Sequence, residues 1–238
     1  MERLSAEYLT LAALAQQPRW DALLTRSGLR DEDLAAVRTG AGHGPLLAAF
    51  READARGLDI ETAFPQLVAG RSLADAGDVA AALHGRVERW TRAASGRSRV
   101  GLIAGLIPRA QGVSDPEMAR ALAERDLAME QRARTLTEQA VKAGEPWVER
   151  FGTPPATPAH RERWLREVST VAAYRDRWHI SGQSLGERDG GCNAEQTGQL
   201  RRAQAAATRA MAFGGARTQH QTVPVPEAAV EVRGGIEL

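Results

Sequence analysis

Residues 114–144 read SDPEMARALAERDLAMEQRARTLTEQAVKAG, and their pattern decides the fold. The stretch opens with helix-start chemistry: Ser114 or Asp115 can cap free backbone N–H groups, Pro116 is tolerated in the first turn, and Glu117 can close a capping box. Gly144 supplies the left-handed stop. In between, Ala119, Leu122, Asp126, Met129, Ala133, Leu136 and Ala140 recur at alternating spacings of three and four, a coiled-coil-like seam interrupted at Asp126. This predicts one helix over 116–143, about 42 Å long at ~1.5 Å per residue. A small globule does not bury such a helix along its whole length, so it needs a second long helix beside it.

That second helix is predicted just downstream. Thr157-Pro158 repeats the cap-then-proline pattern after the linker Gly152-Thr153-Pro154-Pro155, and Trp164, Leu165, Val168, Val171, Ala172, Tyr174 and Trp178 follow at helical spacing to about His179. Two long helices joined by a short, proline-set turn lie antiparallel. In the run Tyr174-Arg175-Asp176-Arg177-Trp178, the charged residues are placed to pair with acids of the long helix while the aromatics fill the seam; a recognition role is the alternative. Asp126 is expected to face Arg175 or Arg177, or else a second copy of the chain, which leaves self-association open.

Upstream lie shorter helices. Residues 5–17 put Tyr8, Leu11, Leu14 and Ala15 on one stripe that Pro18 closes, and Arg19–Ser27 reads as a second helix ended by Gly28. Asp31, Glu32 and Asp33 sit where acids suit the start of the next helix. TGAGHG (39–44) reads as a connection to a helix over 46–56, because Pro45-Leu46 stands where a phosphate-binding loop carries Lys and Ser/Thr. Helices are also predicted over 59–69 and 78–94, the latter with Val79, Leu83, Val87 and Trp90 as a buried stripe. Beyond the hairpin, a glycine-rich loop spans Ser181–Cys192, Asn193 can cap a last helix to about Met211, and periodicity is lost from Gly214. The expected architecture is all-α: a short-helix bundle over 1–98, a long helical-hairpin domain over 99–213, and a flexible tail over 214–238.

Composition agrees and narrows the chemistry. The 238 residues are 43% hydrophobic and 26% charged but only 5% aromatic, a helix-favouring balance. A net charge of +1 provides no global field toward nucleic acid or anionic lipid. The N-terminal residues lack the apolar core of a signal peptide, and the longest apolar run, Val100–Ile107, is too short for a membrane span, so a cytoplasmic protein without membrane insertion is expected. The single cysteine, Cys192, excludes an internal disulfide framework. His43, His84, His160, His179 and His220 form no paired-ligand pattern, and no nucleophile or nucleotide-binding motif is present, so no catalytic residue, metal or cofactor is assigned.

One local charge imbalance stands out. Residues 1–85 carry 8 basic and 12 acidic side chains, whereas 86–109 carry 6 arginines and one acid. Arg86, Arg89, Arg92, Arg97, Arg99 and Arg109, with Trp90 among them, read in two ways. They form a stripe that contacts phosphates of single-stranded DNA while the indole stacks on a base, or a solvated helix face with Trp90 turned inward.

Between about Leu102 and Ile180 the chain resembles the C-terminal helical region of actinobacterial MobF-class (TraA-like) conjugative relaxase–helicases. The matching pieces are Gly105-Leu106-Ile107-Pro108, the Asp115-Pro116-Glu117 helix start, Gly144-Glu145-Pro146-Trp147, Phe151-Gly152-Thr153-Pro154-Pro155, and Trp164-Leu165-Arg166 through Val171-Ala172-Ala173-Tyr174-Arg175-Asp176-Arg177-Trp178. That family nicks DNA through a tyrosine and a metal held by three histidines, then unwinds it with ATP. Neither the histidine triad nor the phosphate-binding loop is present here, and Tyr8 and Tyr174 match no relaxase nucleophile, so no catalytic role carries over. The resemblance implies a non-catalytic interaction module that contacts conjugation machinery, such as the coupling protein of a secretion channel. In it Trp147, Trp164, Tyr174, Arg175, Asp176 and Trp178 serve structure. A remnant of a truncated relaxase gene is the third reading.

Overall fold

The computed structural model describes residues 1–94, 101–186 and 194–214. The described residues are mostly helical: α1 (Glu2–Thr25), α2 (Asp31–Thr39), α3 (His43–Ala55), α4 (Ile60–Ala69), α5 (Val79–Ala93), α6 (Pro116–Ala143), the single turn α7 (Pro146–Glu149), α8 (Pro158–Arg177) and α9 (Ala194–Phe213). Between α5 and α6, β1 (Leu102–Ile103) and β2 (Ile107–Pro108) form a minimal antiparallel hairpin. None of the described helices is long and apolar enough to cross a membrane.

The long helix begins and ends as its sequence predicts. The Asp115 carboxylate accepts bonds from the Glu117 and Met118 N–H groups at 2.8 and 3.1 Å, and Gly144 adopts φ 64° at the C-cap. Leu122, Met129, Ala133 and Ala140 are buried along the seam. Two seam positions differ: Ala119 is exposed, and Thr137 rather than Leu136 is fully buried, its hydroxyl bonded to Ala133 O and Ser169 Oγ. A straight helix drifts off a strict heptad, and here it turns toward neighbours on two sides. α8 packs antiparallel against α6, which α1 also contacts, and α9 lies against α8.

α1 departs from its sequence reading. Pro18 does not end it; one helix runs 24 residues through the proline. Pro18 and Leu14, whose carbonyl loses its bond partner there, are both exposed, so water replaces the missing bond. Buried Gln16 and Trp20 hold the helix together on either side of the proline. Leu14 therefore faces solvent, and the buried stripe is Ser5, Tyr8, Ala12, Gln16, Trp20 and Leu23.

That stripe serves two apolar clusters. Trp20, Leu23 and Leu24 join Val37, Leu46, Phe50, Phe64, Leu83 and Val87 among the short helices α2–α5. Tyr8 and Ala12 join Ile103, Leu106 and Ile107 of the β-hairpin with residues of α6, α8 and α9. The run Val100–Ile107 thus becomes, from residue 102, a hairpin that plugs the second cluster. Its tip turns through Ala104 (φ 47°) and Gly105 (φ 70°), where a Cβ on Gly105 would run into the Thr170 side chain. The glycine loop before α3 also has a packing reason: Gly42 lies so close to the start of α5 that a Cβ would collide with the Ala80–Ala81 backbone, and its N–H donates to Asp78 at 3.0 Å.

Candidate functional site

The arginine cluster is reorganised by the fold. Arg86 on α5 turns its guanidinium onto the end of α4, donating to Leu67 O (2.8 Å), Val68 O (3.1 Å) and Ser72 O (3.2 Å). It caps carbonyls that α4 cannot satisfy itself. Burial lowers its pKa, and Arg71 and Arg89 push in the same direction as like charges. Those three arginines and Trp90 border one hollow of about 430 Å³ between α4 and α5, with Leu67 and Ala93 supplying its apolar part. No carboxylate lines it among the described residues. Trp90 is half-buried, packed against the first cluster on one side and bordering the hollow on the other.

The rest of the stripe goes elsewhere. Arg92 is exposed and does not border the hollow. Arg109 reaches α6, where Asp126 takes both its Nε and Nη2 (2.7 and 3.1 Å) and Glu130 accepts a third bond at 3.1 Å. Donating to the Asp126 carboxylate raises the Arg109 pKa against the opposing effect of burial. Arg97 and Arg99 lie outside the described residues, as do Cys192, Asn193 and the tail from 215. Asp126 is therefore committed to Arg109, and neither Arg175, Arg177 nor a second copy is needed to explain it.

The residues of the relaxase-like stretch are spent on packing. Trp164 is fully buried and donates from Nε1 to Phe151 O at 3.0 Å, tying α8 to the loop after α7. Trp147 lies under the Arg175 guanidinium at 4.9 Å and edge-on to Phe151 at 6.3 Å. Arg175 also donates to Gly182 O at 2.6 Å. Tyr174 is buried in the second cluster. Asp176 receives two bonds from Arg132 of α6, both at 2.7 Å, and one from the Met1 amino group. Burial pushes the Asp176 pKa up, but these cations outweigh it and hold the carboxylate below its ordinary range. The pairing with the long helix thus runs with the opposite sign from the predicted one: an acid of α8 meets an arginine of α6. Arg177, only 7% exposed, reaches Glu195 of α9 at 2.7 Å, and burial lowers its pKa. Trp178 donates to Gln199 of α9 at 3.0 Å.

A larger hollow, about 670 Å³, opens beside Arg19, Asp54, Asp59, Glu61 and Gln111. Its charges are mutually satisfied: Arg19 forks onto Asp54 through two bonds of 2.9 Å and onto Glu61 at 2.9 Å. Asp59 is occupied as the α4 cap, accepting from Thr62 N at 3.0 Å. Among the described residues no three His, Cys, Asp or Glu side chains converge as a metal site. His84 sits 3.6 Å from Glu88, His179 2.8 Å from Glu2, and His160 stacks on Phe213.

The linear sequence carried no signal for Arg71, which stands alone after α4 and joins the cluster only because α4 and α5 pack together. No family model, curated protein or solved structure matches this chain.

Proposed function

We propose that the chain is a non-catalytic helical interaction module of a conjugative relaxase-like DNA-transfer protein, one that contacts protein components of the transfer machinery. The observation that carries this reading is the fate of the relaxase-like residues. Trp147, Trp164, Tyr174, Arg175, Asp176 and Trp178 all face inward, pairing with or packing against other parts of the chain. The resembling stretch is therefore scaffold, and it holds α6 with a long outer face on which Leu127 stands 64% exposed among charged residues.

The test is direct binding of the purified chain to the soluble ATPase domain of a coupling protein from a conjugative system, followed by calorimetry. A dissociation constant of about 1–10 μM is expected, the range of a transient contact. Strand nicking at a transfer origin or ATP hydrolysis by the pure protein would overturn the reading, as would no binding to any soluble channel component at about 100 μM, roughly 5 kcal/mol.

A further inference from the structure

We infer that the hollow between α4 and α5 is a nucleotide-binding subsite for single-stranded nucleic acid, in which Arg71 and Arg89 hold a backbone phosphate and Trp90 stacks on the adjacent base. The inference goes beyond the protein-contact role and does not depend on it.

Three features make this hollow different from the rest of the surface. First, its charge is uncompensated. Several partly buried arginines elsewhere meet carboxylates: Arg19 with Asp54 and Glu61, Arg109 with Asp126 and Glu130, Arg132 with Asp176. Here three guanidiniums border one space with no acid on its walls among the described residues. They are close enough for Arg71 and Arg89 to act on Arg86 as like charges. Clustering like charges without a counter-charge costs stability, and a bound anion removes that cost.

Second, one of the three is fixed. Arg86 is held by the carbonyls of Leu67, Val68 and Ser72. Those bonds cover the negative end of the α4 dipole, which would otherwise repel an anion at this place. Arg71 and Arg89 flank the fixed guanidinium from two elements, the segment after α4 and the body of α5.

Third, the wall opposite in character is an indole. Trp90 borders the same hollow with Leu67 and Ala93, so an anion there has an aromatic surface beside it. A phosphate alone has no use for an indole, and a nucleotide uses both, because any base stacks on an aromatic ring. A duplex hides its base faces, so the geometry selects single strands.

The test is fluorescence anisotropy of a labelled oligothymidylate of about 15 nucleotides, a length on the scale of single-strand site sizes, titrated at several salt concentrations. The expected slope of log Kobs against log salt is about −0.7, the value for one neutralised phosphate of a single strand. Arg71→Ser together with Arg89→Ser is expected to weaken binding at least tenfold and to bring the slope close to zero, a change of about 0.7 for the one phosphate lost. The base half is read from the ligand side, which leaves the half-buried Trp90 untouched: an oligomer of the same length with abasic sugars is expected to bind at least fivefold more weakly, and a duplex at least tenfold. Unchanged binding in the double arginine variant overturns the site. Equal binding of the abasic and thymidine strands overturns the nucleotide assignment and leaves a bare phosphate contact.

Discussion

The two apolar clusters of this chain both hold buried aromatics, but only the second adds a run of small residues along its helices. Around the short helices α2–α5, of about two to four turns each, burial is concentrated in large side chains: Trp20 of α1 with Phe50, Phe64, Leu46 and Leu83, all fully buried. Phe50 touches both Trp20 (5.5 Å) and Phe64 (4.7 Å). In the hairpin bundle, α6, α8 and α9 are 28, 20 and 20 residues long, and beside the large anchors Trp164, Tyr174 and Phe151 the burial is spread over many small residues. On α9 the buried stripe is Ala203, Ala206, Ala207 and Ala210, which lets that helix lie close against α8. Short helices must anchor at a few points, whereas long ones can sum many small contacts.

The charges divide the same way. In the hairpin bundle, arginines and acids of different helices meet across the seams, as in Arg132–Asp176 and Arg177–Glu195. At the α4–α5 edge of the short-helix bundle they do not, and the surplus of cations stays at the surface. The long helices make a scaffold; the short ones leave a site.

If the clusters differ as described, they respond oppositely to changes of volume. Phe64→Ala empties an aromatic socket and is expected to cost about 3–5 kcal/mol in denaturant unfolding. In the alanine seam the damaging change is enlargement: Ala206→Leu is expected to cost about 1–3 kcal/mol by forcing α9 away from α8. Tolerance of Leu at 206 would show that the helices do not sit as closely as their alanines imply.

A smaller effect concerns the joint between the clusters. Glu52 of α3 accepts from Arg56 at 2.9 Å and from Arg202 of α9, and Arg202 also donates to Leu106 O at 3.0 Å. Burial raises the Glu52 pKa, but Arg202 and then Arg56 outweigh it and the net shift is downward. A carboxylate with a lowered folded pKa stabilises fully above its unfolded pKa, about 4.3 for glutamate, and that contribution disappears as pH falls through the folded value. Glu52→Gln is therefore expected to lower stability by about 1–2 kcal/mol at pH 7. The gap between parent and variant should close progressively below about pH 4. A gap that persists unchanged at pH 3 would mean that the loss is steric.

The smallest effect separates scaffold from site within the arginine cluster. Arg86→Gln is expected to cost about 1 kcal/mol, through the lost bonds to the α4 carbonyls. Arg89→Gln should stay within about 0.5 kcal/mol, as an exposed substitution does. Equal losses at the two positions would erase the distinction between a capping arginine and a free one.

Much of the architecture was readable without coordinates. The Asp115–Gly144 stretch carried its own start, seam and stop, so the longest helix and its need for a partner followed from local chemistry; the 78–94 and 158–177 helices were legible for the same reason. Pro18 misled because the cost of a proline inside a helix depends on whether the freed carbonyl meets water, and that is a property of the packed molecule. The apolar run before Pro108 held too few residues to show a period, so the small hairpin was not foreseen.

The candidate site was only half legible. Arg86, Arg89 and Trp90 stood out because they share a helix, yet nothing in linear order distinguished Arg86, which caps α4, from Arg89, which does not. Arg109 belonged to the same charge run but is drawn away by Asp126, 17 residues further along, and Arg71 enters from outside the run altogether. Helix caps and apolar periods are set by residues a few positions apart, which a sequence displays directly. Which cations find an acid, and which remain unpaired around a hollow, depends on distances between helices far apart in the chain, and only tertiary packing sets those.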